Sequence, residues 1–144
     1  FFAWHGSGLG NWHAIVRNGL KNMSGTQFQS SGAAYGPGIY CAVDAGTSVG
    51  YARQVTIQWK NSLYGQTLRC MALCEIVNEG TKITCSGKVH RPRCRHSTSA
   101  PYYRIEEENF IMTRYFFLYK NTDSTPHINA DACKSHFATD KLLN

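Results

Sequence analysis

Residues 68–77 constrain this chain more than any other stretch. Leu68, Cys70, Ala72, Cys74 and Ile76 fall on one face of an extended segment, and Met71, Leu73 and Val77 on the other. Successive side chains of a strand point to opposite faces, so this segment reads as a strand buried on both sides. Such a strand demands neighbours, and the chain offers them. Residues 1–4, 39–42, 102–105 and 112–119 are short apolar runs bounded by turn residues, and each reads as a strand. Residues 54–60 alternate Val55, Ile57 and Trp59, which suits a strand or an extended arm. The first run stops at the turn formed by His5, Gly6, Ser7 and Gly8.

Helical signals are few. Trp12, Ile15, Val16 and Leu20 recur at helical spacing, with Asn11 placed to cap and Gly19 near the end, so residues 11–18 read as one short amphipathic helix. A second helix is expected from Asp44 or Thr47 through Tyr51. Residues 21–31 are polar and carry Gly25, a loop. Residues 81–100 read as a basic, apolar-poor loop, residues 106–108 as an acidic turn, and residues 121–144 as a polar, weakly patterned segment. Many short strands with two short helices indicate an α+β fold with mostly antiparallel sheets.

A chain of 144 residues, 42% apolar and 12% aromatic, is one domain's worth and buries a core without staples. Its six cysteines permit disulfides by count, yet Cys41, Cys70 and Cys74 sit inside apolar runs, where a free thiol behaves as a small hydrophobe. No disulfide is expected. No window approaches the roughly 18 apolar residues of a membrane span. The net charge of +6 suits anionic partners, nucleotides and nucleic acid among them, without choosing one. The chain opens on Phe1 with no initiator Met and no leader-like segment, and it reads as a domain cut from a longer protein.

Gly36-Pro37-Gly38 lacks the third glycine of a dinucleotide fingerprint and precedes no parallel βαβ unit; taken alone it is a tight turn. His5 beside Gly6 offers a ring and a bare backbone to one ligand. Tyr40 and Tyr51 bracket Ser48, an arrangement able to sandwich a flat ring and bond its amide. Each of these is unremarkable alone.

In register they carry more. His5-Gly6-Ser7, then Asn11-Trp12-His13-Ala14-Ile15, then Asn18-Gly19-Leu20 resembles the first strand, turn and helix of the poly(ADP-ribose) polymerase family of ADP-ribosyltransferases. Residues 32–40 end on Tyr40, and Ser48 and Tyr51 follow at the family's spacing. Residues 68–76 resemble its central strand and residues 113–119 its last. The likeness covers most of residues 1–119 and is closest to the small mono-ADP-ribosyltransferase branch. It implies an ADP-ribosyltransferase fold, two packed, mostly antiparallel β-sheets with short flanking helices, and one catalytic domain over residues 1–144.

The resemblance also implies a site. Gly6 and Ser48 would hold the carboxamide of NAD, Tyr51 would stack on the nicotinamide and Tyr40 pack on its other side. His5 would bond a ribose hydroxyl, with Ser7 and Asn11 near, under a flap made by residues 21–31. The family's third catalytic position lies twelve residues before the basic residue of the last strand, here Arg114, and is therefore Tyr102. Polymerising members carry glutamate there. A phenol with a pKa near 10 is a poor base at neutral pH, so the triad His5, Tyr40, Tyr102 implies transfer of single units. A slipped register would bring Glu106, Glu107 or Glu108 to that place. Ser97-Thr98-Ser99 before those glutamates mimics the arginine-centred toxin-like transferases, at too short a gap.

NAD is thus the expected substrate and proteins, the chain itself included, the expected acceptors, inside the cell and with the chain a monomer. A catalytically weak NAD- or ADP-ribose-binding module and a transferase acting on nucleic-acid ends are the alternatives. Cys85, His90, Cys94 and His96 are the right ligand types for zinc, but their spacing is not a common zinc pattern, and no metal is expected. Arg91, Arg93 and Arg95 between them would suit phosphates or an acidic partner.

Overall fold

A computed structural model describes residues 1–29, 34–52, 61, 63, 67–78, 83–85, 88–89 and 102–120. Strand β1 is Phe2–Gly6 and helix α1 is Trp12–Asn18, entered through a 3-10 turn at Leu9–Asn11. Strand β2, Ile39–Ala42, leads to helix α2, Ala45–Val49. Strand β3 is Leu68–Ile76, β4 Ile83–Cys85, β5 Lys88–Val89, β6 Tyr102–Ile105 and β7 Ile111–Lys120. The sheet order is β5-β4-β6-β2-β1-β3-β7, and every pairing is antiparallel.

The doubly buried strand is where the pattern puts it. Strand β3 runs between β1 and β7. Leu68, Cys70, Ala72, Cys74 and Ile76 join one core with Ala3, Trp12, Ile39, Tyr103 and Ile105, while Met71 and Leu73 join a second with Trp4, Ala45 and Ala52. Each such Met or Leu, taken wholly out of water, contributes about 1.5–3 kcal/mol. Val77 departs from expectation. It lies past the strand end, half exposed, its N–H on the Phe110 carbonyl at 2.9 Å.

The α+β, antiparallel character holds, but the described strands make one continuous sheet rather than two. The join is narrow. Strands β1 and β2 share a single register pair, Trp4↔Ala42, whereas β1 and β3 share five. Across this join Cys41 of β2 and Cys74 of β3 interact, although β1 lies between. The intervening residue, Ala3, pairs with Cys74 and is small and fully buried, which leaves room for the two thiols. That contact and burial push the Cys41 thiol well above its usual range, so both sulfurs act as core atoms.

Other boundaries shift for local reasons. Strand β1 continues through His5 and Gly6 because β3 offers them Ala72 and Met71 as partners. Asn11 makes no capping bond; its amide donates to the Ser7 hydroxyl at 2.9 Å instead. Helix α1 ends on Gly19, at φ 76°, a left-handed conformation that glycine adopts without strain. Within the expected basic loop, Ile83–Cys85 and Lys88–Val89 form a hairpin, because Ile83 is fully buried and β4 pairs with β6. The expected segment 54–60 and the polar segment 121–144 lie outside the described residues.

Helix α2 is short and depends on two devices. Asp44 caps it, accepting from the Thr47 N–H at 2.7 Å and from the Thr47 hydroxyl at 2.7 Å. Gly6 then lets it lie on β1: a Cβ there would stand 1.9 Å from the Ser48 carbonyl oxygen and 3.2 Å from the Ala52 nitrogen. Gly6→Ala is therefore expected to lose roughly 1–3 kcal/mol of stability, an overpacking cost against backbone that cannot swing aside. Equilibrium urea unfolding measures it. A midpoint and slope equal to those of the parent chain would mean that α2 does not sit this close.

Candidate active site

The close approach of α2 to β1 leaves a cleft of about 430 Å³ between α1, β2 and the loop over residues 21–29. His5 and Gly6 reach it from β1, Asn11 from the turn before α1, Tyr40 from β2, Ser48 from α2, Tyr51 from the turn after it and Tyr102 from β6. Seven of the eight residues expected at the site therefore line one cleft. Ser7 does not. It is buried behind the wall, its hydroxyl accepting from Asn11 and its carbonyl from the Trp12 indole at 3.1 Å. Ala14, Ile15, Leu20, Met23 and Phe28 make the other end apolar.

The His5 ring is tied at one nitrogen. Nδ1 lies 2.9 Å from the Tyr40 carbonyl oxygen. A carbonyl only accepts, so Nδ1 carries the proton, and in the neutral ring Nε2 is left as an acceptor. Burial lowers the His5 pKa below its ordinary 6.5, and the bond to Tyr40 opposes this only in part. The ring is thus neutral at physiological pH and presents a lone pair.

The tyrosines divide the work differently. The Tyr40 hydroxyl donates to the Gly36 carbonyl at 2.6 Å and accepts the Tyr35 N–H at 2.9 Å. Its tip is committed to the Gly-Pro-Gly turn, so Tyr40 offers the cleft a ring face. Tyr51 is 42% exposed at the mouth, free to cover something flat. Tyr102 lies beside it. Desolvation and then the hydrogen-bonded, potentially like-charged Tyr51 hydroxyl raise the Tyr102 pKa, with Tyr35 and Asp44 adding to the shift. Tyr102 is therefore a weaker acid than an ordinary tyrosine, and even less of it is phenolate at neutral pH.

None of the described residues lining the cleft is a carboxylate. Glu106 is paired with Arg104. Glu108 accepts from Lys21 at 2.7 Å and from the Asn22 N–H at 2.9 Å, which holds its pKa down. The acidic turn therefore anchors the base of the 21–29 loop, and none of Glu106, Glu107 and Glu108 is among the described residues that line the cleft. Ser48 is buried, its hydroxyl donating to the Trp4 carbonyl at 2.9 Å, which leaves its lone pairs for an N–H from the cleft.

Of the suggested metal set, Cys85 is half-buried in β4, and His90, Cys94 and His96 lie outside the described residues, as do Arg91, Arg93, Arg95 and residues 97–99. No cluster of three potential ligands occurs among the described residues. No helix among them is long and apolar enough to cross a membrane. Arg104 and Ser24 were not foreseen at the site. Arg104 donates to the Pro37 carbonyl at 2.8 Å, and Ser24 accepts the Gly38 N–H at 3.0 Å. The positive φ of Gly36 and Gly38, 96° and 155°, was the only trace of this in sequence, as two glycines in one turn.

A family model described as the poly(ADP-ribose) polymerase catalytic domain matches residues 1–115, a span that holds every cleft residue named above. The chain belongs to that family. Among its relatives are the human and mouse proteins named "Protein mono-ADP-ribosyltransferase PARP8", each 29% identical over 83% of this chain. The human "Protein mono-ADP-ribosyltransferase PARP16" is 28% identical over 82% of it. The chain spans 15% of the length of PARP8 and 38% of that of PARP16. For this polymerase-family domain, the α+β antiparallel fold agrees with that membership.

The His5 geometry makes a prediction. Its folded pKa is depressed, so its share of stability is complete above pH 6.5, the unfolded value, and is lost as pH falls through the folded one. Nitrogen-15 NMR should find the Nδ1–H tautomer at neutral pH and a titration midpoint below 6.5. A midpoint at or above that value contradicts the burial of the ring, and an Nε2–H tautomer contradicts the bond to Tyr40.

Proposed function

We propose that this domain is an NAD-dependent mono-ADP-ribosyltransferase, moving one ADP-ribose unit from NAD to a protein side chain and releasing nicotinamide. The observation that carries the reading is the composition of the cleft: His5, Tyr40, Ser48, Tyr51 and Tyr102 converge from separate segments, with no carboxylate among the described lining residues. The names of the relatives support the transferase class.

In this reading the Gly6 backbone and the Ser48 lone pairs hold the nicotinamide carboxamide. Tyr51 stacks on one face of the ring and Tyr40 on the other, each contact adding about 0.5–1.5 kcal/mol beyond area burial. Neutral His5 accepts from a ribose hydroxyl through Nε2. The apolar end under the 21–29 loop takes the adenine half. Fixing both ends of NAD leaves the C–N bond between nicotinamide and ribose between them. That bond breaks with its electron pair leaving on nicotinamide, and the ribose develops oxocarbenium character. An acceptor carboxylate then attacks the anomeric carbon. It arrives already ionised and needs no base.

Chain growth is different. A ribose hydroxyl is a weak nucleophile until a base takes its proton. Tyr102, shifted further from neutrality than an ordinary phenol, supplies little of this. The expected product is thus a single unit. Incubation with adenylate-labelled NAD, followed by a high-resolution gel and mass spectrometry, checks it. Discrete additions of one ADP-ribose to protein are expected. A ladder of polymer contradicts the reading of Tyr102, and label on an added nucleic acid with none on protein contradicts the acceptor class.

A further inference from the structure

We infer that Arg104 is a positioning residue that locks the Tyr40 wall of the cleft through the Gly36-Pro37-Gly38 turn. The inference rests on the function proposed above, and its test is arranged so that the two fail separately.

Arg104 stands directly across from Tyr40 in the β2–β6 register. Its guanidinium has three partners: Nε donates to the Thr84 hydroxyl at 3.1 Å, Nη1 to the Pro37 carbonyl at 2.8 Å, and Nη2 pairs with Glu106. The side chain is only 15% exposed, although its bonds to Pro37 and Glu106 lie at the surface, and its planar fork of fixed donors is hard to replace.

The turn is shaped around this side chain. A Cβ on Gly38 would stand 2.7 Å from Arg104 Cγ, and one on Gly36 would stand 3.5 Å from Arg104 Nη1. Both glycines supply positive φ, and Gly38 also clears space for the arginine, whereas a Cβ on Gly36 would meet it at ordinary contact distance. What the turn holds is functional. Gly36 accepts the Tyr40 hydroxyl, the Tyr35 N–H bonds that same hydroxyl, and Gly38 donates to Ser24 of the loop that covers the cleft. Tyr40 in turn accepts from His5 Nδ1. Hydrogen bonds linked through the backbone of the turn and through Tyr40 itself thus connect Thr84 and Glu106 to the His5 ring.

Arg104 touches neither ring nor ribose. Its loss should loosen NAD without altering bond cleavage. The test uses Arg104→Ala and Arg104→Lys in the whole chain, with two readouts. The first is amide hydrogen exchange, which needs no activity. In Arg104→Ala the Tyr35 and Gly38 amides should exchange about tenfold faster, the equivalent of one lost charge-assisted hydrogen bond, while Ala72 and Cys74 in β3 stay protected. The second is steady-state turnover, in which KM for NAD should rise about tenfold while kcat holds within about threefold. Added guanidinium ion should recover part of the KM of Arg104→Ala. Should the alanine variant not fold, Arg104→Lys decides, since one ammonium cannot reach three acceptors, and the same changes should appear at smaller size. Unchanged exchange at Tyr35 and Gly38, or a fall in kcat at constant KM, overturns the inference. A parent chain that binds NAD without consuming it would defeat the proposed function only, and the exchange readout would still decide Arg104.

Discussion

The Ser48 carbonyl rests against a backbone that has no side chain to keep it away, and the cleft exists because of that contact. With Gly6 bare, α2 lies close enough to β1 for the Ser48 hydroxyl to reach the Trp4 carbonyl and for Tyr51 to stand at the mouth. Strand β1 cannot yield in return. It is paired over five register positions with β3, which is buried on both faces. Rigid core on one side and a forced close approach on the other fix His5, Gly6, Ser48 and Tyr51 relative to one another before any ligand arrives. Such preorganisation is what a site that must orient two ends of one molecule requires.

The chemistry follows from how little the cleft ionises. His5 is held neutral by burial, with its Nδ1 proton committed to the Tyr40 carbonyl. Tyr102 is held back from ionising, Glu106 is spent on Arg104, and Glu108 on Lys21 with the Asn22 amide. A cleft of rings, hydroxyls and backbone dipoles binds and aligns; it does not abstract protons. In the proposed function this accounts for single-unit transfer, and the acceptor's own charge state would decide what becomes modified.

Legibility in the sequence depended on how local each signal was. The alternation of residues 68–76 needed nothing outside itself, and β3 emerged nearly whole. The cleft residues were individually ambiguous: a histidine beside glycine, two tyrosines around a serine. Only their order along the chain, matched to a family pattern, brought them together. Arg104 had no such help. A lone arginine in a strand reads as solvated, and nothing local tells that its fork spans Thr84, Pro37 and Glu106. The β4–β5 hairpin was hidden by its brevity, since three residues carry too little period to outweigh a basic neighbourhood. The division into two sheets was expected from the family pattern; the single Trp4↔Ala42 pair that joins them is a tertiary detail without a sequence mark.

The central claim is that the cleft built by β1 and α2 cleaves NAD. Chromatographic measurement of nicotinamide released from NAD tests it most directly, comparing the parent chain with His5→Ala and Tyr51→Ala. Circular dichroism of each variant must match the parent. The account predicts steady release by the parent and its loss in both variants, since one removes the ribose acceptor and the other the stacking face. Parent-like release by both variants would contradict it.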